Sequence, residues 1–131
     1  VMNWLIKSGE KTPLDINKGS VAWGNYKDVE FEYYTNTSKE TATKNLEIKS
    51  QTRIASGAYE GAKANNIYDL AGNVWLWTLE ADDSGSGYSR CYRGGSYSLY
   101  GTDHCASYRG YGEYPYSSFY VFGIGGGLYI K

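Results

Sequence analysis

Apolar positions along the chain fall in short, irregular groups. In residues 1–7, Met2, Leu5 and Ile6 recur at helical spacing and Gly9 follows as a stop, which predicts the last turns of an amphipathic helix and a chain that continues N-terminally. Residues 12–26 scatter Pro13, Gly19 and Gly24 among short apolar pieces, a pattern of loops and an isolated strand. Residues 28–34 interleave Val29, Phe31 and Tyr33 with acidic residues and predict a half-buried strand. Residues 35–50 are almost wholly polar apart from Leu46 and Ile48, so this stretch is expected to be a solvated excursion. Strands resume over 67–79, where Gly72 sits among large apolar residues and implies a tight turn. Glycines at 94, 95, 110, 112, 123 and 125–127 then punctuate several short strands, and nothing beyond residue 66 repeats at the helical period. A helix first and irregular β structure afterwards predict a single α+β domain over 1–131.

Composition sharpens this in the second half of the chain. Residues 88–131 hold ten of the fifteen tyrosines and nine of the seventeen glycines, interspersed with serine, yet only one lysine, Lys131. Tyrosine offers a large amphipathic contact for few torsions, and serine and glycine supply adaptable hydrogen bonding, so the mixture suits a binding surface. Lysine and asparagine number sixteen in residues 1–73, but from Val74 onward only Lys131 remains. Flexible lysines are depleted at interfaces, and codons for both residues are rich in adenine, so replacement of adenines in the gene would remove both.

The remaining features mostly exclude. A net charge of −1 argues against electrostatic binding of nucleic acid, and no apolar run reaches the roughly 20 residues of a membrane span. Cys91 and Cys105 fit neither a zinc spacing nor a redox pair; one disulfide and two free thiols both stay open. Asn36-Thr37-Ser38 matches a glycosylation sequon, a very short pattern.

Three longer motifs carry a resemblance. Asn66-Ile67-Tyr68-Asp69-Leu70-Ala71-Gly72-Asn73-Val74-Trp75-Leu76-Trp77-Thr78, Arg93-Gly94-Gly95-Ser96-Tyr97 and Ala106-Ser107-Tyr108-Arg109 resemble the formylglycine-generating enzyme, or sulfatase-modifying factor, family. The resemblance covers residues 66–131 and implies a C-type-lectin-like fold: a small twisted antiparallel sheet, long irregular loops and one N-terminal helix remnant. The family's enzyme branch holds copper with two cysteines spaced five apart. Leu99 and His104 stand at those positions here, so soft thiolate ligation is missing and oxidase activity is not expected. The family's structural calcium would fall on Asp69, on the carbonyls of Gly72 and Val74, and on a glutamate where this chain has Leu76. Losing that anionic oxygen leaves Asp69 with the role of a turn-capping carboxylate, and no metal or other cofactor is expected. Gly125-Gly126-Gly127 replaces the family's usual Gly-Phe-Arg ahead of a terminal strand over 128–130.

A second branch is more similar: the variable proteins of diversity-generating retroelements, often encoded by phage or prophage. They display residues randomised at template adenines on this same scaffold. The resemblance implies a non-catalytic ligand-binding module with its variable region over 88–127, borne on a phage particle or outside the cell. Its partner would be a protein or glycan on a cell surface, with no nucleic acid and no membrane insertion. The residues expected to face that partner are Tyr92, Tyr97, Tyr100, His104, Tyr111, Tyr114, Tyr116, Phe119 and Tyr120, the rings acting as anchors. Trp75, Trp77, Arg93, Gly94, Gly95 and Arg109 are expected to form the scaffold, and Tyr108 to join them. The alternatives are the copper oxidase and a structural virion or surface domain without a ligand.

Overall fold

The computed structural model describes residues 1–35, 46–49, 51–81, 89–114 and 119–124, with the backbone alone for 46–49. Helices come first. Helix α1 (Met2–Lys7) ends as expected at Gly9, whose φ of +76° suits glycine. A second helix, α2 (Pro13–Asn17), lies where loops were expected. Its start has a local cause: the Thr12 hydroxyl accepts from the Asp15 amide, the Asp15 carboxylate accepts from the Thr12 amide, and Pro13 occupies the first turn. A 3-10 turn (Ser20–Trp23) follows. Leu5, Ile16, Trp23 and Tyr26 form the main core with Ala64, Leu70, Ala71 and Ala106.

Strand β1 (Phe31–Tyr34) falls within the expected strand. It pairs antiparallel with β2 (Leu46–Lys49), so the polar stretch over 35–50 returns to the fold instead of remaining a simple excursion. Phe31 caps a smaller core with Ile54 and Ala58. Strands β3 (Lys63–Ala64) and β4 (Ile67–Tyr68) form a tight hairpin whose two linking residues, Asn65 and Asn66, both have positive φ, the geometry a two-residue hairpin turn demands.

The largest sheet joins β5 (Trp75–Ala81), β6 (Arg90–Arg93), β7 (Arg109–Glu113) and β8 (Phe122–Gly123) in the order β7-β6-β5-β8. The expected all-antiparallel sheet is corrected at one edge, since β8 runs parallel to β5. The molecule is thus a mixed α+β domain with short helices and mainly antiparallel strands. Among the described residues no helix is long and apolar enough to cross a membrane. The sequon at 36–38, Gly125–127 and the strand expected over 128–130 lie outside the described residues.

Two sequence motifs lock the front of the chain to this sheet. Gly72, at φ +70°, packs so close to the Asn25 backbone that a Cβ there would collide with the Asn25 carbonyl. Its amide donates to the Gly94 carbonyl at 2.6 Å, and the Tyr26 hydroxyl donates to that same carbonyl at 2.8 Å. Asn73 also adopts positive φ. Its Oδ1 accepts from the Ile54 amide (3.1 Å) and from Asn25 Nδ2 (3.2 Å), while its Nδ2 donates to the Ile54 carbonyl (3.1 Å). Gly95 passes the His104 carbonyl with no room for a side chain. The conformations required at Gly72 and Gly95, and the amide required at Asn73, account physically for the spelling of both motifs.

Candidate functional site: an aromatic sheet face

Alternation along β5 sends Trp75 and Trp77 to one face of the sheet, and on the neighbouring strand Tyr92 meets both. Tyr92 stands edge-on to Trp75 (4.9 Å between ring centroids) and to Trp77 (5.7 Å). It lies flat over Gly110, where a Cβ would collide with the ring. Phe122 on the parallel edge strand stacks on Trp77 at 4.8 Å and meets Tyr92 at 4.9 Å, and Phe119 adds a further ring 5.9 Å from Phe122. At the other end, His104 and Tyr108 pack against Trp75 at 5.8 and 5.7 Å and against each other at 4.7 Å. Seven aromatic rings with His104 among them therefore form one connected surface, separate from both buried cores. The edge-to-face and offset contacts are the arrangements that aromatic quadrupoles favour.

The residues expected to face a partner divide into two groups. Tyr120 (71% exposed), Tyr111 (63%), Phe119 (51%) and Tyr100 (49%) are open to solvent. Tyr92, Tyr97, His104 and Tyr114 are half-buried, and Tyr116 lies outside the described residues. Tyr92 belongs more to the support of the surface than to its display: its ring is held by two tryptophans and Phe122, its hydroxyl donates to the Tyr111 carbonyl at 3.4 Å, and burial pushes its pKa up. The structure gathers Tyr92, His104 and Phe119 into the array. Tyr100 stands at a separate place, with the Lys27 ammonium 5.0 Å from its ring centre.

Four members of the array were not among the expected contact residues. Tyr108, expected in the scaffold, is exposed and shields Trp75 and His104 with one side of its ring. Trp77 is only half-buried, because rings alone cover that face of the sheet, whereas Trp75 is buried beneath His104, Tyr108 and Tyr92. Phe122 is placed by a backbone pairing, Trp75 with Phe122 across the β5–β8 edge, that no local pattern announces. A signal for Trp77 did exist in its period-two relation to Trp75, but that relation shows which face it shares and not how deeply the face is covered.

An ionic clamp spans three strands beside this surface. Glu80 Oε2 accepts from Arg93 (2.8 Å) and Glu80 Oε1 from Arg109 (2.8 Å). Arg93 also donates to the Ser107 carbonyl at 2.7 Å and Arg109 to the Ala81 carbonyl at 3.3 Å. Arg93 thus fixes loop backbone and Arg109 the end of β5, while the two share one carboxylate. The hydrogen bonds from Arg93 and then Arg109 hold the Glu80 carboxyl below the usual range.

Neither metal site of the resembling family fits these residues. Leu99 and His104 stand where the resembling family has its copper cysteines; Cys91 and Cys105 are buried and not joined in a disulfide, and they have different neighbours, the Ala81 carbonyl for one and the Ser107 hydroxyl for the other. At the calcium position Asp69 is buried with positive φ, and neither of its oxygens has a hydrogen bond of good geometry. Burial raises its pKa, and the nearby Ser56, Gly57 amide and Asn73 offset this only in part. A single buried carboxylate, with Leu76 packed against the main core, lacks the oxygens and charge that calcium requires. Among the described residues no three His, Cys, Asp or Glu side chains converge as a metal site.

Comparison of the chain with protein-family models, with curated proteins and with solved structures finds no match.

Proposed function

We propose that this protein is a non-catalytic ligand-binding module, similar in design to the variable proteins of diversity-generating retroelements, with a C-type-lectin-like scaffold presenting an aromatic surface to a protein or glycan outside the cell. One observation carries the reading. Phe119 and Tyr108 are exposed rings of a connected aromatic array, Tyr111 and Tyr120 are further exposed rings of the same tyrosine-rich region, and the sheet that carries the array is tied by buried hydrogen bonds and an ionic clamp. Exposed rings fixed from behind lose little conformational freedom when covered, which makes them efficient anchors. Placement on a phage particle or another exterior surface belongs to the same proposal and rests on the sequence resemblance.

The test is a screen of the folded chain against glycan and cell-surface protein arrays, followed by Tyr111→Ala, Tyr114→Ala, Tyr116→Ala and Tyr120→Ala. A saturable partner lost in two or more of these variants, with unfolding midpoints unchanged, supports the module. Absence of any saturable partner would overturn it. The gene gives an independent check, since mismatches to a near-identical template confined to adenines, over codons 88–127, would tie the aromatic residues to a diversifying element.

A further inference from the structure

The buried frame and the aromatic face are joined by one side chain. Segment 52–54 is pinned by two asparagines of the frame: Asn25 Nδ2 donates to the Thr52 carbonyl at 2.9 Å, while Asn73 accepts from the Ile54 amide and donates to the Ile54 carbonyl, each at 3.1 Å. Between these two fixed residues Arg53 is exposed, and its Nη1 donates to the Tyr120 carbonyl at 3.2 Å, across 67 positions of sequence. Tyr120 sits in a turn closed by the Phe122 amide donating to the Phe119 carbonyl at 3.1 Å. One side of that turn is tied to the sheet, since the Trp75 amide donates to the Val121 carbonyl at 2.7 Å and the Phe122 ring stacks on Trp77. The other side carries the open rings, Phe119 at 51% exposure and Tyr120 at 71%. Among the described residues, the bond from Arg53 is the one hydrogen bond that reaches Tyr120 from outside its own turn.

A guanidinium on a carbonyl fixes the backbone that carries the ring, and a ring whose backbone is fixed has less freedom to lose when a partner covers it. Without that bond, the described ties of the turn to the rest of the fold lie at Val121, Phe122 and Gly123, all on one side of the two exposed rings. The apparent affinity of a site falls in proportion to the population of its competent arrangement, so a turn free to pivot would bind more weakly with every ring still present. We propose that Arg53 is a positioning residue for the aromatic face: it carries the rigidity of the Asn25–Asn73 frame into the 119–122 turn and presents Phe119 and Tyr120 to a partner in one arrangement. This role rests on the reading of that face as a binding surface, and it adds to the face a residue well outside the tyrosine-rich region over 88–131.

The chain has three phenylalanines, and their places make the test. Phe119 and Phe122 flank Tyr120 in the turn, whereas Phe31 is buried in the smaller core against Ile54 and shows whether the pinned segment itself has moved. The full chain labelled with 4-fluorophenylalanine, its lines assigned through Phe119→Tyr and Phe122→Tyr, is compared by fluorine NMR as wild type, Arg53→Ala and Arg53→Lys. Arg53→Ala is expected to shift and broaden the Phe119 line, and the Phe122 line less, with the Phe31 line and the unfolding midpoint unchanged. Arg53→Lys still offers a donor to the Tyr120 carbonyl and is expected to return both lines toward wild type. Deuterium exchange of the Phe122 amide is expected to quicken about 2- to 10-fold in Arg53→Ala, the weight of one hydrogen bond, while the Asn73 amide, held by the Asn25 carbonyl, keeps its rate. A Phe119 line and a Phe122 amide that ignore Arg53→Ala overturn the role, and so does a response shared equally by Phe31 and Asn73, which is general loosening. The two readings fail separately: an array screen without a saturable partner overturns the binding surface, whereas unresponsive fluorine lines overturn the part given to Arg53.

Discussion

The Asn25–Gly72–Asn73 frame and the aromatic sheet face are built on opposite terms. In the frame, each position is determined by its neighbour's backbone: Gly72 by the Asn25 carbonyl, Asn73 by the Ile54 amide and carbonyl, Gly95 by the His104 carbonyl. On the face, rings meet rings through contacts that tolerate exchange of one aromatic for another, and several open directly to water. A molecule divided this way keeps its shape while its surface changes. That is the property a binding module with a diversified face would need, and the variants below are chosen to break or sharpen the division.

Gly72→Ala should have the largest effect. Its Cβ collides with backbone that cannot move aside, at a φ that alanine rarely adopts, so destabilisation of about 3–5 kcal/mol or outright misfolding is expected in chemical denaturation. A loss under about 1 kcal/mol would show that the frame yields. Asn73→Ala comes next. It leaves the buried Ile54 amide and carbonyl without their partner, with an expected cost of about 2–4 kcal/mol, and a near-neutral result would mean that water replaces the side chain.

Two carboxyls extend the contrast to pH. Glu80 lies on the surface with its pKa lowered by the hydrogen bonds from Arg93 and Arg109. Its contribution is therefore present above the ordinary value of 4.5 and is lost as pH falls through the lower folded value. Asp69 lies in the interior with its pKa raised by burial, so its contribution is complete below the ordinary value of 3.8 and is lost as pH rises through the raised folded value. Measured stability against pH should lose its acid-side fall in Glu80→Gln and its opposing decline above 3.8 in Asp69→Asn. Identical curves for wild type and both variants would remove the distinction. The smallest effect on folding is expected at the open rings: Tyr111→Ala and Tyr120→Ala should change stability by no more than about 0.5 kcal/mol. At a hot spot the same changes should weaken partner binding by about 2 kcal/mol or more.

Local signals accounted for α1 and its Gly9 stop, for β1, and for the turn at Gly72, because each depends on residues within a few positions of one another. The capping box at Thr12 and Asp15 was equally local, yet the expectation for residues 12–26 rested on Pro13 and the glycines and was one of loops and an isolated strand. The Asn65–Asn66 hairpin turn was legible in the same sense, since paired asparagines tolerate positive φ. By contrast, the return of β2 to β1 and the parallel pairing of β8 with β5 depend on partners far along the chain, and no short-range pattern specifies them.

Sequence by itself determined that this is an α+β chain whose second half is rich in tyrosine and glycine and nearly free of lysine. Which rings are open and which are braced was decided only by tertiary structure. Tyr92 and Tyr111 are the same residue type in the same compositional setting, but one lies over Gly110 between two tryptophans and the other stands out into solvent. Burial is a property of what covers a side chain, and what covers these rings arrives from strands joined by distant pairings.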